Sequence, residues 1–229
     1  MSSRNHVVIT GTGRAGTSFL VELLTHLGLD TGFSVESLLQ EKCSHSEAGL
    51  ESDIRKEPCP YIVKSPQFCG YAREVVMKMD VSLDHVFIPI RDLFSAAESR
   101  RQVHSNRVHQ LRDRVHQLPL IKRLGIKFGI DSVPGGLWHT RNSRLGRQEN
   151  VLLTQVYNLL LALSETSTPV TFMQFPRIVT DATYLFNKLK PILGDISSDN
   201  FKDVFDTVAR PNIVHSFVEL EHQSQDASS

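Results

Sequence analysis

Apolar residues along the chain fall into two kinds of run. Four runs are short, continuous and rich in β-branched or aromatic residues: HVVIT (6–10), YIVKS (61–65), HVFIPI (85–90) and PVTFMQF (169–175). Runs of this kind predict strands buried on both faces. Between them, apolar residues recur at the helical period in TSFLVELLTHLG (17–28), CGYAREVVMKM (69–79), LFSAAESRRQV (93–103) and QENVLLTQVYNLLLALSE (148–165). One more amphipathic segment, DATYLFNKLKPIL (181–193), follows the fourth run. Strands that alternate with helices predict an α/β fold, a three-layer arrangement with a central parallel sheet and helices on both faces. Ligands of such sheets bind at the carboxyl ends of the strands, so the residues just after each strand carry the chemical information.

The segment 104–147 breaks the alternation. RVHQLRDRVHQL repeats RVHQL at a spacing of seven, which puts His109 and His116 on one helix face. Two turns of separation are too many for shared metal ligation, so this pattern reads as an amphipathic helix with surface histidines. PGGLWHTRNSRLGR (134–147), with the chain's one tryptophan, Trp138, reads as a Gly- and Arg-rich loop. The whole of 104–147 is expected to be a cap or a substrate-binding insertion in a single domain spanning 1–229, with a disordered tail at about 220–229.

Charge changes the picture only locally. The formal net charge is zero, which gives no nucleic-acid or membrane signal, yet 100–147 holds eleven Lys/Arg and two Asp, a net +9 balanced by −9 elsewhere. That basic stretch fits a solvated helical face and an anion-attracting surface equally well. Cys43, Cys59 and Cys69 form no C-x-x-C pair and suggest neither a disulfide framework nor a zinc site. VLLTQVYNLLLAL (151–163) is too short to span a bilayer, and MSSRNHVVIT runs almost directly into a strand with no room for a signal peptide. A cytoplasmic protein is the expectation.

The chemistry concentrates after the first strand. In VVITGTGRAGTSFL, Gly11, Gly13 and Gly16 spell the dinucleotide fingerprint G-x-G-x-x-G. That reading needs a second strand ending in an acid about 20 residues on. The region LGLDTGFSVESLLQEK has no β-branched run before Asp30 or Glu36, so the dinucleotide reading falls. Gly11 and Gly16 followed by Thr17 and Ser18 also resemble a Walker phosphate loop, with Thr17 where the lysine belongs. Without that lysine the loop suits a 5′-phosphate held by backbone amides better than a magnesium triphosphate. Arg14 is the cation nearest in sequence.

With these residues in view, the chain resembles the sulfotransferases that use 3′-phosphoadenosine-5′-phosphosulfate (PAPS). GTGRAGTSFL resembles their 5′-phosphosulfate loop. Arg91, at the end of the third strand, and Ser99, eight residues on, resemble their 3′-phosphate signature, while IVKSPQF is similar to a K-[ST/D]-P segment of bacterial and protein-tyrosine members. GGLW, Gln148-Glu149 and DTVARPNIVH are weaker matches, so the likeness touches most of 6–215. It implies a P-loop sulfotransferase fold and transfer of a sulfuryl group from PAPS to an acceptor hydroxyl or amine, without a metal. It implies that Gly11, Thr12, Gly13, Arg14, Ala15, Gly16, Thr17 and Ser18 hold the 5′-phosphate and that Arg91 and Ser99 hold the 3′-phosphate, with Ser95 one turn away able to share the task. Arg14, then Lys64, are the implied cations for the leaving oxygen. Glu36, 19 residues after Thr17, is the implied general base, with His45, His104 and His139 as alternatives. The implied acceptor is a small molecule or glycan, and the basic stretch suits an anionic one. The chain departs from cytosolic relatives in lacking an evident glycine-rich C-terminal loop, for which Arg210 is a candidate substitute, and in lacking a tryptophan to stack adenine. Two readings compete: a P-loop kinase or NTPase with a degenerate loop and Asp92 as metal ligand, and a non-catalytic nucleotide-binding protein that docks a partner through 100–147.

Overall fold

The computed structural model describes residues 4–43, 48–78, 80–116 and 148–214 of the 229. Strand β1 (Arg4–Ile9) leads through the glycine loop to α1 (Thr17–His26) and α2 (Val35–Glu41). A small antiparallel ribbon, β2 (Lys42–Cys43) with β3 (Ala48–Gly49), precedes β4 (Ile62–Lys64), a 3-10 turn (Phe68–Gly70) and α3 (Ala72–Lys78). Next come β5 (Val81–Ile90), α4 (Leu93–His116), α5 (Gln148–Ser164) and β6 (Val170–Gln174). The described chain closes with α6 (Arg177–Thr180), α7 (Ala182–Leu193), α8 (Ser198–Val208) and a 3-10 turn (Pro211–Ile213).

The central sheet is four-stranded, in the order β4-β1-β5-β6, and every pairing is parallel. Val8 stands opposite Val63 on one side and Val86 on the other, and Phe87 opposite Thr171. Alternate residues serve opposite faces, as the strand period of two requires. Val7, Ile9 and Phe87 pack with Leu20 and Leu24 of α1, Leu185 and Leu189 of α7, and Phe201 and Phe205 of α8. Val8, Val63, Val86 and Ile88 pack on the other face with Val75 of α3 and with Leu159 and Leu163 of α5. Helices therefore cover both faces of an α/β sheet, and the four predicted strands are its four strands.

Connectivity places the crevice. The chain leaves β1 for its neighbour β4 on one side and leaves β5 for β6 on the other. Adjacent strands whose exits diverge open a gap at their carboxyl ends, the usual ligand position in such sheets. Here the gap lies between the loop after β1 and the β5–α4 junction.

Three elements differ from the sequence expectation. The helix over 93–103 continues to His116, so 104–116, the described part of 104–147, is the second half of α4. No Gly or Pro interrupts 93–116, and Arg, Gln and Glu are good helix formers, so the backbone continues after the apolar period fades. Helix α8 and the β2–β3 ribbon were not anticipated. Residues 117–147, including Trp138, His139 and the Gly- and Arg-rich loop, lie outside the described residues, as do His45 and the tail. No helix among the described residues is long and apolar enough to cross a membrane.

Candidate functional site

The loop after β1 is anchored at its root by Thr10, whose N–H donates to the Phe87 carbonyl at 3.0 Å. It then turns through left-handed backbone at Gly13 (φ 64°), Arg14 (φ 56°) and Gly16 (φ 82°). At two of these a side chain would also have to displace a neighbouring side-chain tip. A Cβ on Gly13 would lie 2.5 Å from Arg100 Nη2, and one on Gly16 would lie 2.8 Å from Ile178 Cδ1. Gly16 is also the N-cap of α1, whose first turn carries no acidic residue. The positive end of the helix dipole and the first-turn amides therefore favour an anion at the loop.

The β5–α4 junction straps this loop from across the crevice. Arg91 Nη1 donates to the Arg14 carbonyl at 3.0 Å. Arg14 Nε donates to Ser99 Oγ at 3.0 Å. Arg100 Nε donates to the Thr12 carbonyl at 3.2 Å, and its Nη2 donates to the same oxygen. Arg91 also stacks 5.0 Å over the Phe175 ring, which follows β6. Burial, then the nearby Arg14 charge, pushes Arg91 down to about 10 and Arg100 down to about 9. Three guanidinium groups around one short loop disfavour each other's charge, and an arriving anion relieves that repulsion. Asp92 accepts from the Ser95 N–H at 2.8 Å, a helix cap at the start of α4.

A second cluster forms at the helix end of the loop. Lys64 terminates β4 with its side chain 2% exposed. Its Nζ donates to Ser18 Oγ and to Glu51 Oε1, each at 2.9 Å, and to the Gly49 carbonyl. These partners offset the cost of burying an ammonium group. Ser65, the next residue, shares a 2.7 Å hydrogen bond with the Tyr71 hydroxyl.

The predicted site residues thus fall into two groups and an outlier. Thr12, Gly13, Arg14, Arg91 and Ser99 meet at the strap, while Ser18 meets Lys64; Ala15 and Thr17 are buried between them in the sequence of the loop. Glu36 is exposed on the first turn of α2, where its own backbone N–H and then the Ser34 hydroxyl hold its carboxyl below the usual range. Arg210 reaches Glu22 of α1 at 3.4 Å. His104 lies half-buried on α4. Sequence reasoning missed Arg100, Glu51 and Phe175. Arg100 directly follows Ser99 and was visible only as one charge of a basic stretch; Glu51 and Phe175 carry no short-range signal.

These features define an α/β protein with an arginine-braced glycine loop at the switch crevice of a parallel sheet. No protein-family model matches the chain, and no curated protein or solved structure matches it either.

Proposed function

We infer that the chain is a sulfotransferase, moving a sulfuryl group from PAPS to an acceptor hydroxyl or amine and releasing adenosine 3′,5′-bisphosphate. The observation that carries this reading is the joining of the two motif regions across the crevice: Arg14 of the loop on Ser99, and Arg91 on the Arg14 carbonyl. One nucleotide with phosphates at both 5′ and 3′ positions would engage both. The loop amides and Ser18 take the 5′-phosphate in this reading, and Arg91 with Ser99 takes the 3′-phosphate through charge-assisted hydrogen bonds.

In the transfer, a bond forms from the acceptor oxygen or nitrogen to sulfur as the bond from sulfur to the bridging oxygen breaks. Negative charge grows on that oxygen, and a fixed cation there lowers the barrier. Lys64, on Ser18 at the helix end of the loop, and Arg14, within the loop and on Ser99, are the two candidates. The acceptor's proton passes to a carboxylate. Glu36 is the expected base; Glu51, 2.9 Å from Lys64, is a carboxylate that joins the Ser18 cluster. A small-molecule or glycan acceptor with anionic groups would suit the arginine-rich side of the crevice.

Lys64 also bears on the kinase alternative. In a Walker loop the hydroxyl at the Ser18 position ligates magnesium. Here an ammonium group already donates to that hydroxyl, and a second cation beside it would be repelled. Calorimetric titration with adenosine 3′,5′-bisphosphate, with magnesium-ATP and with NAD at one salt concentration tests the reading. Metal-independent binding of the bisphosphate alone is expected; binding of magnesium-ATP alone would give the lead to the kinase reading.

A further inference from the structure

Thr17 stands where a Walker loop carries its lysine, so the charge which that lysine would set against an anion has to come from other residues. Helix α4 brings one such charge beneath the loop. Arg100 is 2% exposed and places two of its N–H groups on the Thr12 carbonyl. A side chain so costly to bury is out of keeping with a surface helix position, and its neighbour Arg101 shows the contrast: that residue, 24% exposed, is neutralised by Glu98 and Glu149.

The peptide geometry gives this contact a consequence. In a planar trans peptide the C=O and the following N–H point in opposite directions. A Thr12 carbonyl turned onto Arg100 therefore sends the Gly13 N–H away from Arg100, and the Arg14 carbonyl turned onto Arg91 does the same for the Ala15 N–H. Gly13 has no side chain to obstruct this arrangement; a Cβ there would displace the guanidinium. We propose that Arg100 is a positioning residue of the anion site, which aims the Gly13 amide at a bound phosphate and supplies, through that peptide, the charge of the missing loop lysine. Arg100 does not touch the ligand in this arrangement; the peptide lies between them.

The proposal rests on the loop being a phosphate site, whichever phosphate it takes. Wild type, Arg100→Gln, Arg100→Lys and the neighbouring-charge control Arg101→Gln would be titrated with sodium pyrophosphate and with adenosine 3′,5′-bisphosphate, with thermal melts to verify folding. Gln keeps a donor for the Thr12 carbonyl and loses the charge; Lys keeps the charge and loses the fork. A unit charge about 7 Å from an anion at a partly screened site is worth roughly a tenfold change in affinity. Arg100→Gln should lose about that factor for both ligands, Arg100→Lys clearly less, and Arg101→Gln nothing. Equal losses in the Gln and Lys variants, or none in either, would overturn the role of the charge. Should Arg100→Gln not fold, the wild-type Gly13 amide and Arg100 Nε resonances decide: both must shift on saturation with pyrophosphate, and an unmoved Gly13 amide overturns the proposal. Pyrophosphate binding without bisphosphate binding would remove PAPS as donor while leaving the Arg100 comparison intact. Failure of wild type to bind either ligand would overturn both readings.

Discussion

Arg14 holds a backbone conformation that costs an L residue about 1–2 kcal/mol, at φ 56°. Strain of this kind persists where surrounding contacts over-determine it, and it collects at functional sites. The Arg91 hydrogen bond to its carbonyl and the Ser99 hydrogen bond to its side chain are those contacts. Arg14→Gly removes both the strain and the repulsion with Arg91 and Arg100, so its unfolding free energy should rise by about 1 kcal/mol while turnover falls. Denaturant titration beside an activity assay reads both, and a destabilised Gly variant would show that the Ser99 bond outweighs the strain. Arg91→Ala should weaken adenosine 3′,5′-bisphosphate by roughly tenfold or more, the worth of one charge-assisted hydrogen bond, and adenosine 5′-phosphate much less. Equal losses for the two nucleotides would remove Arg91 from the 3′-phosphate. Glu36→Gln decides between two carboxylates. If Glu36 is the base, transfer nearly stops while bisphosphate binding holds; if transfer continues, Glu51 beside Lys64 is the next residue to change.

At the scale of elements, α8 shows where pattern reading ran short. Its apolar residues are Phe201, Val204, Phe205 and Val208, spread through the polar sequence SDNFKDVFDTV, too sparse to stand out beside the continuous strand runs. The start signal was nonetheless present in Ser197, whose side chain accepts from the Asn200 N–H. Phe201 is fully buried, packing edge-on to Phe186 at 5.3 Å and near Phe205 at 6.4 Å. Phe201→Ala should cost about 3–5 kcal/mol in urea denaturation, and Ser197→Ala about 1 kcal/mol. Lys202→Ala, on the exposed face, should change stability by less than about 0.5 kcal/mol. A near-neutral Phe201→Ala would mean that α8 is not part of the core. The strands were legible because burial on both faces leaves an unbroken apolar run. The extension of α4 to His116 was not, because a helix whose later turns are polar loses the apolar period without losing its hydrogen bonds.

Across the whole molecule, stability should depend on pH through His85 on β5, whose Nε2 lies 2.7 Å from Thr171 Oγ1 on β6. Burial holds its pKa below the ordinary histidine value, so the unfolded chain binds the proton more readily than the folded one. That contribution is fully present above about pH 6.5 and is lost as pH falls below it. Asp53 and Asp181 are held below the usual carboxylate range, the first chiefly by Arg55 and the second by the Tyr184 N–H, and their contributions fail only at lower pH, beneath about 4. The denaturation midpoint should therefore drop between about pH 7.5 and 5.5, and His85→Gln should flatten that drop; an unchanged slope would exonerate His85. Sequence alone determined the α/β class, the four strands and the glycine loop, because strand burial and left-handed turns impose local residue choices. It also singled out Lys64 and Arg91 at strand ends, Arg14 in the loop after the first strand and Ser99 eight residues beyond Arg91. Only the tertiary structure decided which of these meet. The divergence of the chain at β1 and β5 brings Arg91 and Ser99 to Arg14, sends Lys64 to Ser18 instead, and turns Arg100, one more charge in a basic stretch, inward onto Thr12. Such contacts join residues up to 88 positions apart, and nothing in their local sequence encodes the pairing.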